Sequence, residues 1–325
     1  MLYKKMGRTG LKVSAFCLGT MNFGSQVDER GAIQIIERAL DAGINFIDTA
    51  DAYTGGRSEE IVGKALKEKR DAIVLATKVG ARVGERQNYS GLSRKHIMKG
   101  IEDSLRRLQT HYIDIYYAHM PDHDTPLEET IRAMSDLVQG GKVRYIACSN
   151  YTAWQLCKTL WISDKYNQAQ FECIQPPYNL ITRDIESELL PFCASQRVGV
   201  CVYNPLAAGI LTGKHDPTRP PAEGGRFTLE RLGKNYYNRY WNEVNFNAVE
   251  QLRKTATEHG RSLAQFSLAW VFNNDLITAA ICGASSLEQL EQNLTATEIC
   301  LSKEELVACD DVWKQIRTPR FFYGR

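Results

Sequence analysis

The sequence predicts an α/β protein, a (β/α)8 TIM barrel with an N-terminal β-hairpin and extra C-terminal helices. Eight short apolar runs alternate with segments of helical periodicity along the 325 residues, a count and a length typical of such a barrel. The runs are continuously apolar and none reads as a polar edge strand, which favours a barrel over an open doubly wound sheet. No stretch reads as a linker, so we expect residues 1–325 to form a single domain.

The predicted elements follow one another in a regular order. Residues 1–13 read as a β-hairpin with Gly7 to Gly10 as its turn, and we expect it to lie outside the main sheet as a cover. Strands are predicted at 14–18, 44–47, 72–77, 112–118, 143–148, 171–174, 199–202 and 277–281. Helices are predicted at 28–41, 58–68, 93–108, 126–139, from about 152, and at 184–195, 243–259, 263–273, 287–294 and 303–316.

Residues 204–240 break this rhythm. The segment is rich in proline and glycine and is far longer than an ordinary connection between a strand and its helix. Connections of this length are commonly lids or binding segments. The sequence therefore predicts a loop here that covers or binds a ligand.

Composition excludes several classes of function. The net charge is +2 and acidic and basic residues are interspersed, so we expect neither nucleic acid nor an anionic membrane surface as a partner. The N-terminal residues MLYKKMGRTG lack the apolar region of a signal peptide, and no apolar stretch is long enough to cross a bilayer. These features predict a cytoplasmic protein.

The signals for a metal site or a Rossmann domain are weak. The nine cysteines include no C-x-x-C pair, and no G-x-G-x-x-G follows a predicted strand. Five cysteines lie in apolar runs and are predicted to be buried hydrophobes: Cys17, Cys148, Cys173, Cys201 and Cys282. His119 and His123 have the spacing of zinc ligands on a helix, but Pro121 lies between them in a loop-like context. We therefore predict no metal site.

Polar side chains stand where the predicted strands end, and the active site of such a barrel lies at that face. Asp48 ends the second strand and Tyr53 follows after a short turn, while Lys78 and His119 end the next two strands. Any one of them alone would more often be a helix cap or a packed hydrogen-bond partner. Four ionisable groups converging at one face indicate a catalytic site.

These four groups suit the reduction of a carbonyl. Tyr53 is a poor acid, since a phenol titrates near pH ~10, unless a cation such as Lys78 stabilises its anion. Asp48 would pair with Lys78 and make burial of the ammonium less costly. His119 would donate to the carbonyl oxygen and stabilise the alkoxide as hydride arrives at carbon.

No side chain supplies a hydride, so a nicotinamide cofactor is required. Tyr203 could stack on the nicotinamide ring, and Ser149, Asn150 and Gln175 offer partners for its carboxamide. For the phosphates, Lys214 and Arg226 supply charge, and Ser285 precedes a predicted helix N-terminus. The alternative is that Lys214 and Arg226 are ordinary solvated loop residues.

These residues also carry a family resemblance. The motifs are M-G-x-T-G-L-K-V-S at 6–14, L-G-T-M-N-F-G at 18–24, F-I-D-T-A-x-x-Y at 46–53, T-K at 77–78, Y-x-x-H at 116–119, S-N at 149–150 and G-A-S at 283–285. With them the chain resembles the aldo-keto reductases end to end, most closely the branch of bacterial and plant reductases and potassium-channel β-subunits. The resemblance implies a (β/α)8 barrel, and a catalytic tetrad on Asp48, Tyr53, Lys78 and His119.

The resemblance also implies NADP(H) as the cofactor. The expected contacts are Gly19, Thr20, Met21, Asp48, Ser149, Asn150, Gln175, Tyr203, Asn204, Pro205, Leu206, Gly209, Leu211, Lys214, Arg226, Gly283, Ser285, Gln289, Gln292 and Asn293. The chain departs from the family pattern at Ala147, often Gly, at Asn204, often Ser, and at Gln292, where Glu commonly approaches the adenine. The last two departures lie at expected cofactor contacts.

The substrate is expected to be a small carbonyl compound. Candidate pocket walls are Met21, Phe23, Tyr53, His119, Met120, Asp122, Tyr236, Tyr237, Trp241, Phe321 and Phe322, a set that could equally close the barrel mouth or form a contact between subunits of a homo-oligomer. Two other functions remain open. One is a cofactor-sensing regulatory subunit, and the other is a ketoreductase for nucleotide-linked sugars with a basic entrance from Arg226, Arg231, Lys234 and Arg239.

Overall fold

The computed structural model describes residues 1–229 and 233–317. Eight parallel strands form a closed barrel in which each strand pairs with the next along the chain and the last pairs with the first. The barrel strands are β3 (Phe16–Gly19), β4 (Phe46–Asp48), β5 (Val74–Val79), β6 (Ile113–Ala118), β7 (Val143–Ser149), β8 (Phe171–Gln175), β9 (Gly199–Tyr203) and β10 (Ala279–Gly283). The predicted (β/α)8 TIM barrel is confirmed.

The predicted hairpin is also confirmed. Strands β1 (Tyr3–Lys5) and β2 (Lys12–Ser14) pair antiparallel. From the hairpin, Met6 and Val13 pack with residues of the barrel interior, including Cys17, Phe46 and Cys201. The hairpin thus fills the N-terminal end of the barrel, and the opposite end remains for a site.

The barrel is surrounded by helices, whose side chains form the larger apolar core with the outer faces of the strands. The described helices are α1 (Glu29–Asp41), α2 (Arg57–Leu66), α3 (Arg94–Leu108), α4 (Leu127–Gln139), α5 (Ala153–Lys165), α6 (Leu189–Gln196), α7 (Gly233–Tyr240), α8 (Glu243–Glu258), α9 (Leu263–Phe272), α10 (Leu287–Thr295) and α11 (Lys303–Ile316). Ser93 caps α3 as predicted, its hydroxyl accepting from the His96 N–H.

Several strands continue further than their apolar runs suggested. The predicted strand 44–47 is observed as Phe46–Asp48, and the predicted strand 72–77 as Val74–Val79. Asp48 pairs with Ala76, and Lys78 with Tyr117, in the register of the barrel. The polar residues are therefore part of the strands, because inside the barrel end they have polar partners that replace water.

Two predicted segments differ in structure. The predicted helix 184–195 is divided into a 3-10 turn (Asp184–Glu186) and α6, because the ring of Pro191 would clash with the Ser187 carbonyl in a continuous helix. The segment 204–240, predicted as a loop, contains the 3-10 turns Ala207–Thr212 and Arg226–Thr228 and the helix α7. The sequence of α7 is rich in tyrosine and asparagine, which have low helix propensity, and this explains why no helix was predicted there.

The five cysteines predicted to be buried are buried, and their thiols are free. No helix within residues 1–229 and 233–317 has both the length and the apolar character needed to cross a membrane. Across the same ranges, no cluster of three His, Cys, Asp or Glu side chains is arranged to hold a metal ion.

Candidate active site

Lys78 lies at the centre of the polar cluster at the C-terminal end of the barrel. Its Nζ lies 2.5 Å from Asp48 Oδ1, 2.7 Å from the Thr49 carbonyl oxygen and 3.2 Å from the Tyr53 hydroxyl. Lys78 is fully buried and Asp48 nearly so. The three donors of the ammonium therefore all have protein acceptors.

Asp48 is held from two sides. One carboxylate oxygen accepts from Lys78, and the other accepts a 2.9 Å hydrogen bond from Gln175 Nε2 on β8. Burial acts to lower the pKa of Lys78, but Asp48 and Tyr53 outweigh it and raise that pKa above its ordinary value. The ammonium therefore stays charged at neutral pH.

Tyr53 lies on a turn whose backbone is fixed by its neighbours. The following residue, Thr54, has φ +48°, donates from its hydroxyl to the Phe23 carbonyl at 2.8 Å and accepts from the Ser58 N–H at 3.1 Å. Burial raises the pKa of the Tyr53 phenol, and Lys78 only partly opposes this. Lys78 acts to lower the pKa of Tyr53, as the sequence predicts, but burial has the larger effect, so Tyr53 keeps its proton at neutral pH.

His119 completes the group. Its ring meets that of Tyr53 edge-on, with the centroids 5.9 Å apart. Burial, with a smaller contribution from Lys78, lowers the pKa of His119 to about 3. The imidazole is therefore neutral, and its buried Nδ1 has no partner in the described part of the chain. A neutral ring carries a single N–H, so His119 can donate one hydrogen bond to a ligand.

A chain of hydrogen bonds joins the neighbouring strand ends to this group. Tyr203 donates to Asn150 Oδ1 at 2.8 Å, Asn150 Nδ2 donates to Ser149 Oγ at 3.1 Å, and Ser149 donates to the Gln175 carbonyl at 2.8 Å. Asn150 Nδ2 also donates to the His119 carbonyl at 3.0 Å. The structure therefore brings these predicted residues together around the four central groups.

A second group of predicted residues meets at the start of α10. The Ser285 hydroxyl donates to Gln289 Oε1 at 2.9 Å, and Asn293 Nδ2 donates to the Gly283 carbonyl at 3.4 Å. Gln292 points elsewhere, donating to Glu288 at 3.2 Å. A Cβ on Gly283 would lie only 3.5 Å from Arg226 Nη2, so this guanidinium is close to the same strand end.

Several residues of the segment 204–240 are fixed by hydrogen bonds or buried in the core next to the site. Asn204 donates to the Tyr240 hydroxyl at 2.8 Å and accepts from the Ala208 N–H at 2.6 Å, so both ends of its side-chain amide are engaged. Leu211 is fully buried in the core, whereas Lys214 is exposed. Gln26 donates to the Gly224 carbonyl, which ties the segment to the loop after β3.

The candidate substrate residues divide into three groups. Phe23 is fully buried, and Trp241 packs with His215, Phe227, Tyr237 and Phe246, so these two side chains support the rim. Tyr236 is close enough to Tyr53 to influence its pKa, and Met120 is exposed. Phe321, Phe322 and Arg231 lie outside the described residues.

Two contributions to the site were not predicted from the sequence. The Thr49 carbonyl accepts from Lys78, and the Asn22 side chain donates to the Ala284 carbonyl at 2.9 Å, which joins the ends of the first and last barrel strands. A main-chain acceptor leaves no signature in the residue type. Asn22 could have been found, because it lies in the loop that follows β3 and an amide there is a ready partner for a neighbouring strand end.

Comparison with known proteins gives a consistent result. A sequence profile described as "Aldo/keto reductase family" matches residues 15–314. A protein of Oryza sativa subsp. japonica named "Probable voltage-gated potassium channel subunit beta" is 38% identical over 304 residues, 92% of this chain and 92% of that protein. Two Bacillus subtilis proteins are similar: "Uncharacterized oxidoreductase YrpG", 37% identical over 96% of each chain, and "Aldo-keto reductase YhdN", 36% identical over 94% of this chain and 91% of its own.

Proposed function

The chain belongs to the aldo/keto reductase family, and we propose that it reduces an aldehyde or ketone to an alcohol with NADPH as the hydride donor. The observation that carries this proposal is the buried Lys78 ammonium between the Asp48 carboxylate and the Tyr53 hydroxyl. Such a cation has no evident use in packing, since its burial is costly, but it stabilises a phenolate that forms next to it.

Tyr53 is the general acid in this proposal. Its raised pKa keeps the proton on the phenol until negative charge develops on the carbonyl oxygen of the substrate. When the proton is transferred, the new phenolate lies 3.2 Å from Lys78 Nζ. The ammonium therefore stabilises the deprotonated state more than the resting state, as catalysis requires.

His119 orients the carbonyl. Because its pKa is lowered to about 3, the ring is a neutral hydrogen-bond donor and not a competing acid. Its ring lies edge-on to that of Tyr53, so one oxygen can contact both side chains. A donor of this kind is worth roughly 2.7–4 kcal/mol in the best-measured oxyanion site.

The residues around the site fit a dinucleotide with an additional phosphate. NADPH supplies the hydride when it is bound. Arg226 lies beside Gly283, the last residue of β10. The N-terminus of α10 follows shortly after, and its backbone N–H groups and helix dipole favour an anion. Ser285 and Asn293 lie at the same point, and Tyr203, Asn150 and Gln175 would contact the nicotinamide end.

The first test is a search for turnover. The purified protein is mixed with NADPH and a panel of aldehydes and ketones, and the absorbance of NADPH is followed. We expect many turnovers with at least one carbonyl compound, and a much lower rate with NADH. No turnover with any member of the panel would contradict the proposal.

A second candidate function is a cofactor-sensing regulatory subunit. It is favoured by similarity to the protein of Oryza sativa and to one of Schizosaccharomyces pombe, named "Putative voltage-gated potassium channel subunit beta", which is 38% identical over 95% of this chain. Rate separates the two functions, because a sensor would stall after about one turnover per cofactor bound. We favour the enzyme, since the side chains of Asp48, Lys78, Tyr53 and His119 lie together in one group.

A further inference from the structure

Arg239 places a positive charge on the rim of the candidate site. It lies near the end of α7 and is exposed, and the neighbouring Tyr240 and Tyr203 raise the pKa of its guanidinium. It also lies 5.9 Å from the centre of the Tyr240 ring. Among residues 1–229 and 233–317, no acidic side chain contacts Arg239 or forms an ion pair with it.

The two hydroxyls do not neutralise this charge. The Tyr203 proton is donated to Asn150 and the Tyr240 oxygen accepts from Asn204, so both phenols are neutral and neither gives Arg239 a counter-charge. A guanidinium has five N–H donors in a planar fork that matches a carboxylate or a phosphate. Among the residues that the structure describes, nothing negatively charged occupies the fork of Arg239, so an anion can bind there.

The charge lies close to the reacting groups. Tyr203 is near enough to both Arg239 and Tyr53 for each to influence the pKa of its phenol. Asn150, the partner of Tyr203, donates to the His119 carbonyl. From α7 itself, Tyr236 reaches the surroundings of Tyr53. The hydrogen bonds of Asn150 therefore link the rim near Arg239 to His119, which is expected to hold the substrate carbonyl.

We propose that Arg239 binds a carboxylate or phosphate group of the substrate, so that the protein prefers anionic carbonyl compounds to neutral ones. This inference rests on the proposed carbonyl reduction and names the substrate class for that same site. The anion could also come from the cofactor, whose pyrophosphate is the other negatively charged group expected nearby. Arg226 lies beside Gly283, at the end of β10, and is better placed for the cofactor.

The test uses matched pairs of aldehydes that differ in charge: 4-carboxybenzaldehyde with its methyl ester, and succinic semialdehyde with butanal. We expect the unaltered protein to have the higher kcat/KM for the anionic member of at least one pair. In Arg239→Gln that preference should fall by about tenfold to a hundredfold, which is the usual effect of losing a hydrogen bond to a charged group. In Arg239→Lys the preference for the anionic aldehyde should fall less, because the positive charge is kept even though the planar fork of donors is lost.

Two controls separate the possible sources of the effect. NADPH affinity, measured by the quenching of protein fluorescence, should change less than twofold in Arg239→Gln. Arg253→Gln removes an exposed arginine that is paired with Glu250 on α8, away from the rim, and should leave both substrate pairs unchanged.

Three results would overturn the inference while leaving carbonyl reduction intact. They are an equal kcat/KM for both members of each pair in the unaltered protein, an equal loss for anionic and neutral aldehydes in Arg239→Gln, and a loss confined to NADPH affinity. The last result would assign Arg239 to the cofactor. If the unaltered protein reduces other members of the carbonyl panel but none of these four aldehydes, the inference fails and the proposed function stands. No turnover with any carbonyl compound would overturn both.

Discussion

Gln175 on β8 donates a 2.9 Å hydrogen bond to Oδ2 of Asp48 on β4, so the carboxylate at the centre of the site is fixed from across the barrel. Its other oxygen holds Lys78. The position of the ammonium beside Tyr53 thus depends on three strands: β4 with Asp48, β5 with Lys78 and β8 with Gln175. A change in any of them should affect both stability and chemistry.

The first prediction concerns the buried ion pair. Asp48→Asn leaves the Lys78 ammonium buried without a counter-charge, which should cost about 3–5 kcal/mol of unfolding free energy. Urea denaturation at pH 7 measures it. Asp103→Asn is the matched control, since that carboxylate pairs with Lys99 and Arg106 on the exposed face of α3 and should cost under about 1 kcal/mol. Equal losses would show that Asp48 and Lys78 are not a buried pair.

The second prediction follows from the lowered pKa of His119. In the unfolded chain this imidazole titrates near 6.5, whereas burial keeps it neutral in the folded protein down to about pH 3. Between pH 6.5 and pH 3 the unfolded state therefore binds a proton on His119 that the folded state does not bind. The unfolding free energy that His119 contributes above pH 6.5 is lost as the pH falls toward 3.

The difference between the unaltered protein and His119→Gln isolates this contribution. Below pH 6 the unfolding free energy of the unaltered protein should fall more steeply, by up to about 1.4 kcal/mol per pH unit. His259→Gln, at the exposed end of α8, controls for the removal of a histidine in general. Parallel curves for the unaltered protein and His119→Gln would mean that His119 charges in the folded state.

The third prediction concerns cofactor choice. Neutralising Lys214 and Arg226 together, as Lys214→Met with Arg226→Gln, should weaken NADPH by tenfold or more and NADH far less, because only NADPH carries the extra phosphate. Binding measured by fluorescence or calorimetry gives both constants. Arg253→Gln serves as the control. Equal losses for the two cofactors would show that these cations do not contact the extra phosphate.

The parts of the fold that the sequence predicts well are those set by local pattern. Continuous apolar runs identify the barrel strands, and the polar residue that closes each run places Asp48, Lys78 and His119 at one end of the barrel. The start of α3 at Ser93 could be predicted in the same way, because the capping serine and the apolar stripe of the helix are both visible in the residue types.

Features decided by distant contacts could not be predicted in this way. Helix α7 has no clear helical pattern, and its last residue, Tyr240, is held by Asn204 from 36 positions earlier. The pKa of Tyr53 depends on how burial compares with the attraction of Lys78, and only the structure reveals the extent of burial. Whether Arg239 has an acidic partner depends on its surroundings in space, and within residues 1–229 and 233–317 it forms no ion pair.

The central claim is that the Tyr53 phenol supplies the proton for carbonyl reduction. The measurement that tests it most directly is single-turnover oxidation of bound NADPH by Tyr53→Phe in the presence of a substrate aldehyde, with Tyr166→Phe, an exposed tyrosine, as the control. We predict that Tyr53→Phe binds NADPH normally and oxidises it at least a hundredfold more slowly, about the effect of removing general acid catalysis, while Tyr166→Phe behaves as the unaltered protein. A rate in Tyr53→Phe close to that of the unaltered protein would contradict it.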